Sequence, residues 1–316
     1  MVTSRDNLAL VRVARLYYRD SLSQAEIAAR LGTSRSNVSR MLSAAEARGI
    51  VEIRIHEQVP RDSSLEEALE ERYGLRKAIV ATRDNSFGLR PVDQVGDLAW
   101  TWLRAQLTDG TTVAMSWGEA LQALVMAATS QVMSSTEFVQ LLGGVSARAS
   151  LVTGQELVRE LATRLGAGYR YLHAPAAFRS TRTRRALMEE PSIMEALESA
   201  RAAQVALVGL GNVVSGSSAA ILQAVSATAQ ERAEFDAAGP VGDIAGRYFD
   251  AEGRAVRGRI DDRILALTLE EIAAIPTVVA LAIGREKAAA LRGALVGHLV
   301  DVVVCDTALA EAALQP

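Results

Sequence analysis

The chain has 316 residues, 34 Lys and Arg against 37 Asp and Glu, a formal net charge of -3, one cysteine and three histidines. A lone Cys305 excludes an internal disulfide framework, and His56, His173 and His298 show no metal-ligand spacing. Arg5, Arg12, Arg15 and Arg19 interrupt any apolar leader, and no later apolar run reaches the length of a membrane span, so the expectation is a soluble cytoplasmic chain without metal or cofactor.

That net charge hides a split. Residues 1–56 hold nine arginines and five carboxylates, a balance of +4, which leaves -7 for the remainder. A basic head on an acidic body is the pattern of a chain in which only the head meets phosphates, because such contacts draw much of their affinity from counterion release. The length suits a small domain joined to a larger one.

The first predicted helix covers 7–19, with Leu8, Val11, Ala14, Arg15 and Tyr18 on one face. From Gln24 onward, apolar or small residues fall at Ile27, Ala28, Leu31, Val38 and Met41, with Gly32 between two short helices. This is helix-turn-helix spacing: Ala28 is small where the second helix crosses, and Gly32 can take the left-handed conformation that ends a helix abruptly. The outward face of the second helix carries Ser34, Arg35, Ser36, Asn37, Ser39 and Arg40. Arginine can grip the O6 and N7 acceptors of guanine, asparagine can do the same for an adenine edge, and serine serves phosphates or bases. These six are the expected contacts to operator DNA.

Residues 50–55 alternate apolar and polar and read as a strand of a wing, with Gly49 stopping the helix. A hinge is expected at 56–62. Ser63 and Ser64, each followed three residues later by Glu66 or Glu67, read as a capping signature opening a helix over 65–73. The division is therefore a DNA-binding domain at 1–56, a linker at 57–63 and a larger domain at 64–316.

The body alternates β-rich and helical runs. Strands are expected at 77–81, 111–115, 138–142, 169–172, 205–208, 264–266, 278–283 and 302–305, with helices at 92–106, 119–128, 155–165, 193–200, 286–295 and 309–313. The fold class is thus α/β: a winged helix-turn-helix head plus a Rossmann-like, mostly parallel sheet with helices on both faces. Such sheets bind ligands beyond the carboxyl ends of their strands. Four loops stand there: Ser116-Trp117-Gly118, Gly143-Gly144, Gly209-Leu210-Gly211-Asn212 and Gly242-Asp243. A glycine after a strand is as often a plain turn as a ligand cradle. Lys287 shares the chain with only one other lysine, Lys77, amid arginines. The arginines of 178–185 read as a solvated loop entering a helix, the stretch 115–133 as core, and His173 and His298 as packing or surface residues.

Leu16 to Ile53, with its YY pair, SQAEIA run, SRSNVSRML helix and GIVEI strand, resembles the headpiece of the SorC/DeoR type of sugar-responsive bacterial transcriptional regulators. SWGEAL, QLLGGV, VGLGNV, GDIAGRYFD and IGREKAAALRGAL, in that order, resemble the signatures of the SorC effector-binding domain. The resemblance implies a body similar in fold to sugar-phosphate isomerases and deaminases that binds a sugar, polyol or sugar phosphate. It also implies a homo-oligomer, dimer or tetramer, and an effector pocket lined by Ser116, Trp117, Gly118, Glu119, Gly143, Gly144, Asp243 and Lys287.

In that pocket, Asp243 would accept hydrogen bonds from adjacent sugar hydroxyls and Lys287 would supply a point charge. One position departs from the family, where SWG is often followed by a basic residue and a threonine; here Glu119 and Ala120 stand instead. A phosphate there would lose a hydroxyl donor and meet a like charge, a cost of about 1 kcal/mol or more in a partly buried site. An effector carrying little negative charge is the expectation. No acid/base pair with catalytic placement is legible, so an isomerase- or deaminase-like enzyme with an appended DNA-binding head is the alternative, not the first reading.

Overall fold

The computed structural model describes residues 4–51, 59–82, 89–130, 132–144, 153–214 and 216–315. The chain forms two compact units that divide between Gln58 and Val59.

The head consists of α1 (Ser4–Tyr18), α2 (Gln24–Leu31) and α3 (Arg35–Ala47). Ser23 starts α2 through a capping box: the Glu26 N–H donates to Ser23 Oγ at 3.3 Å and the Ser23 N–H donates to Glu26 Oε2 at 2.8 Å. Gly32 ends it at φ 65°, and its N–H closes back on the carbonyls of Ala28 and Ala29. Val13, Ile27 and Val38 are wholly buried where the three helices meet, with Leu16, Ala28 and Leu42 around them and Leu31 and Met41 at the rim. Each fully buried aliphatic side chain contributes about 2 kcal/mol. The α1 face differs from the predicted one: Leu10, Val13, Ala14 and Leu16 point inward, while Leu8 is 67% exposed. Two overlapping apolar stripes run along this helix, and the crossing by α3 selects one. The Tyr18 hydroxyl donates to Glu46 at 2.7 Å, so this ring braces α1 on α3. Of the expected wing strand, 52–55 lie outside the described residues; Ile50 and Val51 pack on Leu10, Ala14 and Ala45.

The body runs α4 (Ser63–Tyr73), β1 (Lys77–Ala81), α5 (Pro91–Gln106), β2 (Thr112–Met115), α6 (Glu119–Ala127), β3 (Glu137–Gln140), α7 (Gly154–Leu165) and β4 (Gly168–Arg170). It continues with α8 (Thr181–Met188), α9 (Pro191–Arg201), β5 (Val205–Gly211), α10 (Gly216–Val225), α11 (Ala229–Ala237), β6 (Gly242–Ile244) and β7 (Arg247–Phe249). Then come α12 (Leu269–Ala273), β8 (Thr277–Ala282), α13 (Ala288–Val296), β9 (Val302–Asp306) and α14 (Thr307–Leu314).

The main sheet has the order β1-β9-β8-β5-β2-β3-β4, every neighbouring pair parallel. Its central strands are buried along nearly their whole length, as in a sheet covered on both faces, whereas edge strand β4 is exposed throughout. Gly96 in α5 lies so close to α6 that a Cβ there would stand 2.5 Å from the Ala123 carbonyl carbon. The missing side chain weakens α5 as a helix but permits the close crossing.

Several boundaries and elements depart from the expectations, the helices α10, α11 and α12 among them. The N-cap of α4 is Asp62, whose carboxylate accepts from the Leu65 N–H at 3.1 Å, so Ser63 and Ser64 already belong to the first turn. The stretch 264–266 joins no strand of the main sheet: single bridges link Ile264 to Ala177 and Ala266 to Leu142. The Ile264 and Ala266 carbonyls accept from Arg247 and the Leu265 carbonyl from the Gly143 N–H. The antiparallel hairpin β6–β7 was not anticipated, because two three-residue strands are too short to show a period. The arginines after Phe178 fall mostly on α8, where Ser180 caps the helix and the Arg184 guanidinium donates to the Ile264 carbonyl at 2.7 Å. No helix among the described residues is long and apolar enough to cross a membrane.

Candidate functional site

The chain reverses direction across the sheet between β2 and β5. From β2 the chain proceeds to β3 and β4 on one side and then returns to β5, β8 and β9 on the other, where β9 pairs with the first strand, β1. Where strand order reverses, the loops leaving neighbouring strands diverge and open a crevice at their carboxyl ends. A cavity of about 450 Å³ lies there. Ser116–Gln122 line it from β2 and the start of α6, Gly209–Asn212 from β5, Leu281 and Ile283 from β8 and beyond, and Glu286 and Lys287 from the turn before α13.

Each wall has a local cause. The Ser116 Oγ accepts from the Gly209 N–H at 3.1 Å, tying the end of β2 to that of β5 and leaving the hydroxyl proton to point elsewhere. Gly118, at φ 142°, carries the chain from the strand into α6 with no side-chain cap on the helix. The hairpin β6–β7 pairs antiparallel with the end of β5, matching Gly211 with Asp243. That pairing carries Asp243 into the crevice. A Cβ on Gly211 would sit 1.9 Å from Ser218 Oγ and 2.0 Å from Asp243 Oδ1, so only glycine fits beside this pair.

Asp243 is 6% exposed. One of its oxygens accepts from the Ser218 hydroxyl and the other from the Gly246 N–H at 2.9 Å. The second bond also fixes the hairpin turn, in which Ala245 takes a positive φ of 52° and Gly246 one of 78°. Burial pushes the Asp243 carboxyl above the usual carboxylate range, against the Ser218 and Gly246 donors and the nearby Lys287 ammonium. Burial also lowers Lys287, against the carboxylates of Glu286, Glu119, Asp243 and Asp306. A carboxylate with two fixed donors retains lone pairs for ligand hydroxyls, and a half-buried lysine opposite it can donate.

Six of the eight residues expected in the effector pocket, Ser116, Trp117, Gly118, Glu119, Asp243 and Lys287, line this one cavity. Gly143 and Gly144 are not among its lining residues. A Cβ on Gly143 would stand 2.4 Å from the Pro175 carbonyl oxygen, and the Gly144 N–H donates to the Ala174 carbonyl at 2.8 Å. The small size of Gly143 therefore serves packing of the 174–176 segment against the loop after β3, whereas a Cβ on Gly144 would meet nothing nearer than the Ala174 carbonyl oxygen at 4.0 Å. Ser218, Glu286 and Gly246 line the cavity and escaped the sequence reading. Ser218 sits in a run of small polar residues with no spacing to single it out, while Glu286 was beside a residue already chosen.

On the head, Ser34 caps α3 by accepting from the Asn37 N–H at 3.2 Å. Arg35, Ser36, Ser39 and Arg40 are exposed. Arg35 and Arg40 form no ion pair among the described residues, which leaves both guanidinium groups available to phosphate or base edges. Asn37 departs from the outward placement expected: it is half-buried and its amide donates to Thr33 Oγ1 at 2.9 Å. A helical residue three positions after the cap lies partly over the turn before it, so a short side chain there bonds back locally.

Residues 57–315 match a family profile described as "Putative sugar-binding domain", and residues 9–65 match one for a Crp-like helix-turn-helix domain. The LsrR transcriptional regulator of Klebsiella pneumoniae is 31% identical over 307 residues, spanning 96% of this chain and 92% of that one. The deoxyribonucleoside regulator of Bacillus subtilis is 28% identical over 302 residues, covering 96% of each chain. The crystal structure of the full-length sorbitol operon regulator SorC of Klebsiella pneumoniae superposes with a TM-score of 0.74 at 27% identity, over 99% of this chain and 100% of that one. With a helix-turn-helix head and a parallel-sheet body matched along almost its full length, the chain belongs to the SorC family of sugar-binding transcriptional regulators.

Proposed function

We propose that this chain is a cytoplasmic, non-enzymatic regulator that binds operator DNA through α3 and takes a polyhydroxylated effector into the cavity between β2 and β5. On the DNA side, Arg35 and Arg40 read bases or phosphates, and Ser34, Ser36 and Ser39 serve backbone contacts. Asn37 joins them only if its bond to Thr33 opens. On the effector side, Ser116, Trp117, Gly118, Glu119, Asp243 and Lys287 form the pocket. Gly143 and Gly144 stand outside that lining. Identical heads reading a palindrome call for a two-fold homo-oligomer, a dimer or a tetramer.

One observation carries the reading: the buried carboxylate of Asp243 opens into a cavity at the reversal point of the sheet, held there by Ser218 and Gly246. An effector can change DNA affinity only by binding two arrangements of the protein unequally. The test is selection of an operator from a random duplex library, followed by anisotropy titrations with and without sugars and polyols. A ligand that raises the melting temperature should also change duplex affinity. At a hundred times its dissociation constant it would add about 2.7 kcal/mol of stability. If Asp243→Ala retains both effects in full, the effector binds elsewhere.

A further inference from the structure

The charged groups that line the cavity restrict what can occupy it. Among the described lining residues these are Glu119, Asp243, Glu286 and Lys287. Asp243 and Lys287 offset each other whether the proton rests on one or the other, because either arrangement sums to zero. Among the described lining residues Lys287 is then the single cation, shared with the exposed carboxylates of Glu286 and Glu119 as well as with Asp243, so carboxylates outnumber cations facing the same space. Glu119 also occupies the first position of α6, whose opening amides no side chain caps. That is where an incoming anion would otherwise be held, by free N–H groups and the helix dipole. The chain has filled the region electrostatically with a carboxylate of its own. Arg90 lies within electrostatic reach of Glu119, yet its guanidinium is held by both oxygens of Asp93, at 2.8 and 2.9 Å.

We propose that the effector is an uncharged polyhydroxy compound, a free sugar or a polyol, and that Glu119 and Glu286 exclude phosphate esters. This rests on the cavity being the effector site. In it, ligand hydroxyls donate to the carboxylates of Glu119, Glu286 and Asp243, while Lys287 and Ser116 donate to ligand oxygens. A phosphate monoester, with close to two negative charges, would meet two carboxylates and have a single lysine already opposed by Asp243.

The experiment is calorimetric titration of the full chain with inorganic phosphate and with three pairs: fructose and fructose 6-phosphate, ribose and ribose 5-phosphate, mannitol and mannitol 1-phosphate. It is repeated on Glu119→Gln, Glu119→Lys and the double variant Glu119→Gln, Glu286→Gln, each first checked for an unchanged melting temperature. The expected result is that no phosphorylated probe binds the native chain more tightly than its neutral partner. Removing or reversing the carboxylates should strengthen binding of inorganic phosphate by about tenfold or more. A native chain that binds any of these esters tenfold more tightly than its free counterpart would overturn the proposal. So would variants whose phosphate affinity does not rise. If a neutral probe binds the cavity without altering duplex affinity, the proposal stands while the regulatory reading fails, which keeps the two separable.

Discussion

The head and the body of this protein use the same cation in opposite ways. On α3, Arg35 and Arg40 stand exposed with no ion pair among the described residues. In the body, Arg247 is 4% exposed and spends its donors on the carbonyls of Asp261, Ile264, Ala266 and Leu267 and on the Asp261 carboxylate at 2.6 Å. Arg263, 7% exposed, likewise bonds Arg259, Arg179 and Val225 carbonyls and the Glu231 carboxylate. An arginine whose planar donors are consumed internally is a structural clamp that sets loops behind the site; one left unpaired is available to a polyanion. Counting arginines therefore says little about function until their partners are known.

That contrast can be broken from either side. The largest effect is expected from Arg247→Ala, which strands several buried carbonyls and the Asp261 carboxylate. It should lower the stability of the body by about 3–5 kcal/mol in urea unfolding, with Arg247→Lys recovering only part because an ammonium cannot span the same acceptors. An unchanged unfolding midpoint would mean that the clamp is redundant. Gly211→Ala comes next: its methyl group collides with Ser218 and Asp243, so a loss of about 1–3 kcal/mol is expected together with loss of any ligand-induced thermal shift.

On the head, Arg40→Ala should weaken duplex binding by about 1–3 kcal/mol and flatten its salt dependence by about one ion, while melting temperature and effector affinity stay as in the native chain. A mutant that lost stability instead would place Arg40 with Arg247 in the clamping class. The smallest change is Ala245→Gly at the hairpin turn. Removing a left-handed alanine at φ 52° should stabilise the body by up to about 1 kcal/mol, less the entropy that glycine adds to the unfolded chain, as read by calorimetry.

Local chemistry and periodicity were enough to locate the helix-turn-helix, because Gly32 and the spacing from Ile27 to Met41 act within a few turns of chain. The alternation of strands and helices was legible for the same reason, since a strand buried on both faces reads as a continuous apolar run; of the four expected loops, however, Gly209–Gly211 closes β5 and Gly242–Asp243 opens β6. Residue type alone also marked Lys287 as unusual, whereas Asp243 was found through its glycine neighbour and the family resemblance.

Tertiary structure decided the rest. Which stripe of α1 faces inward depends on where α3 crosses it. Whether Gly143 meets a ligand or Pro175 depends on a segment some thirty residues away. The pairing of Asp243 with Gly211 and Ser218 depends on a hairpin too short to announce itself. Above all, strand order is set by which edges pair in space, and the reversal between β2 and β5 draws lining residues from within 116–122, 209–212, 243–246 and 281–287 into one cavity. Periodicity along a chain carries the burial of each element, but not which element becomes its neighbour.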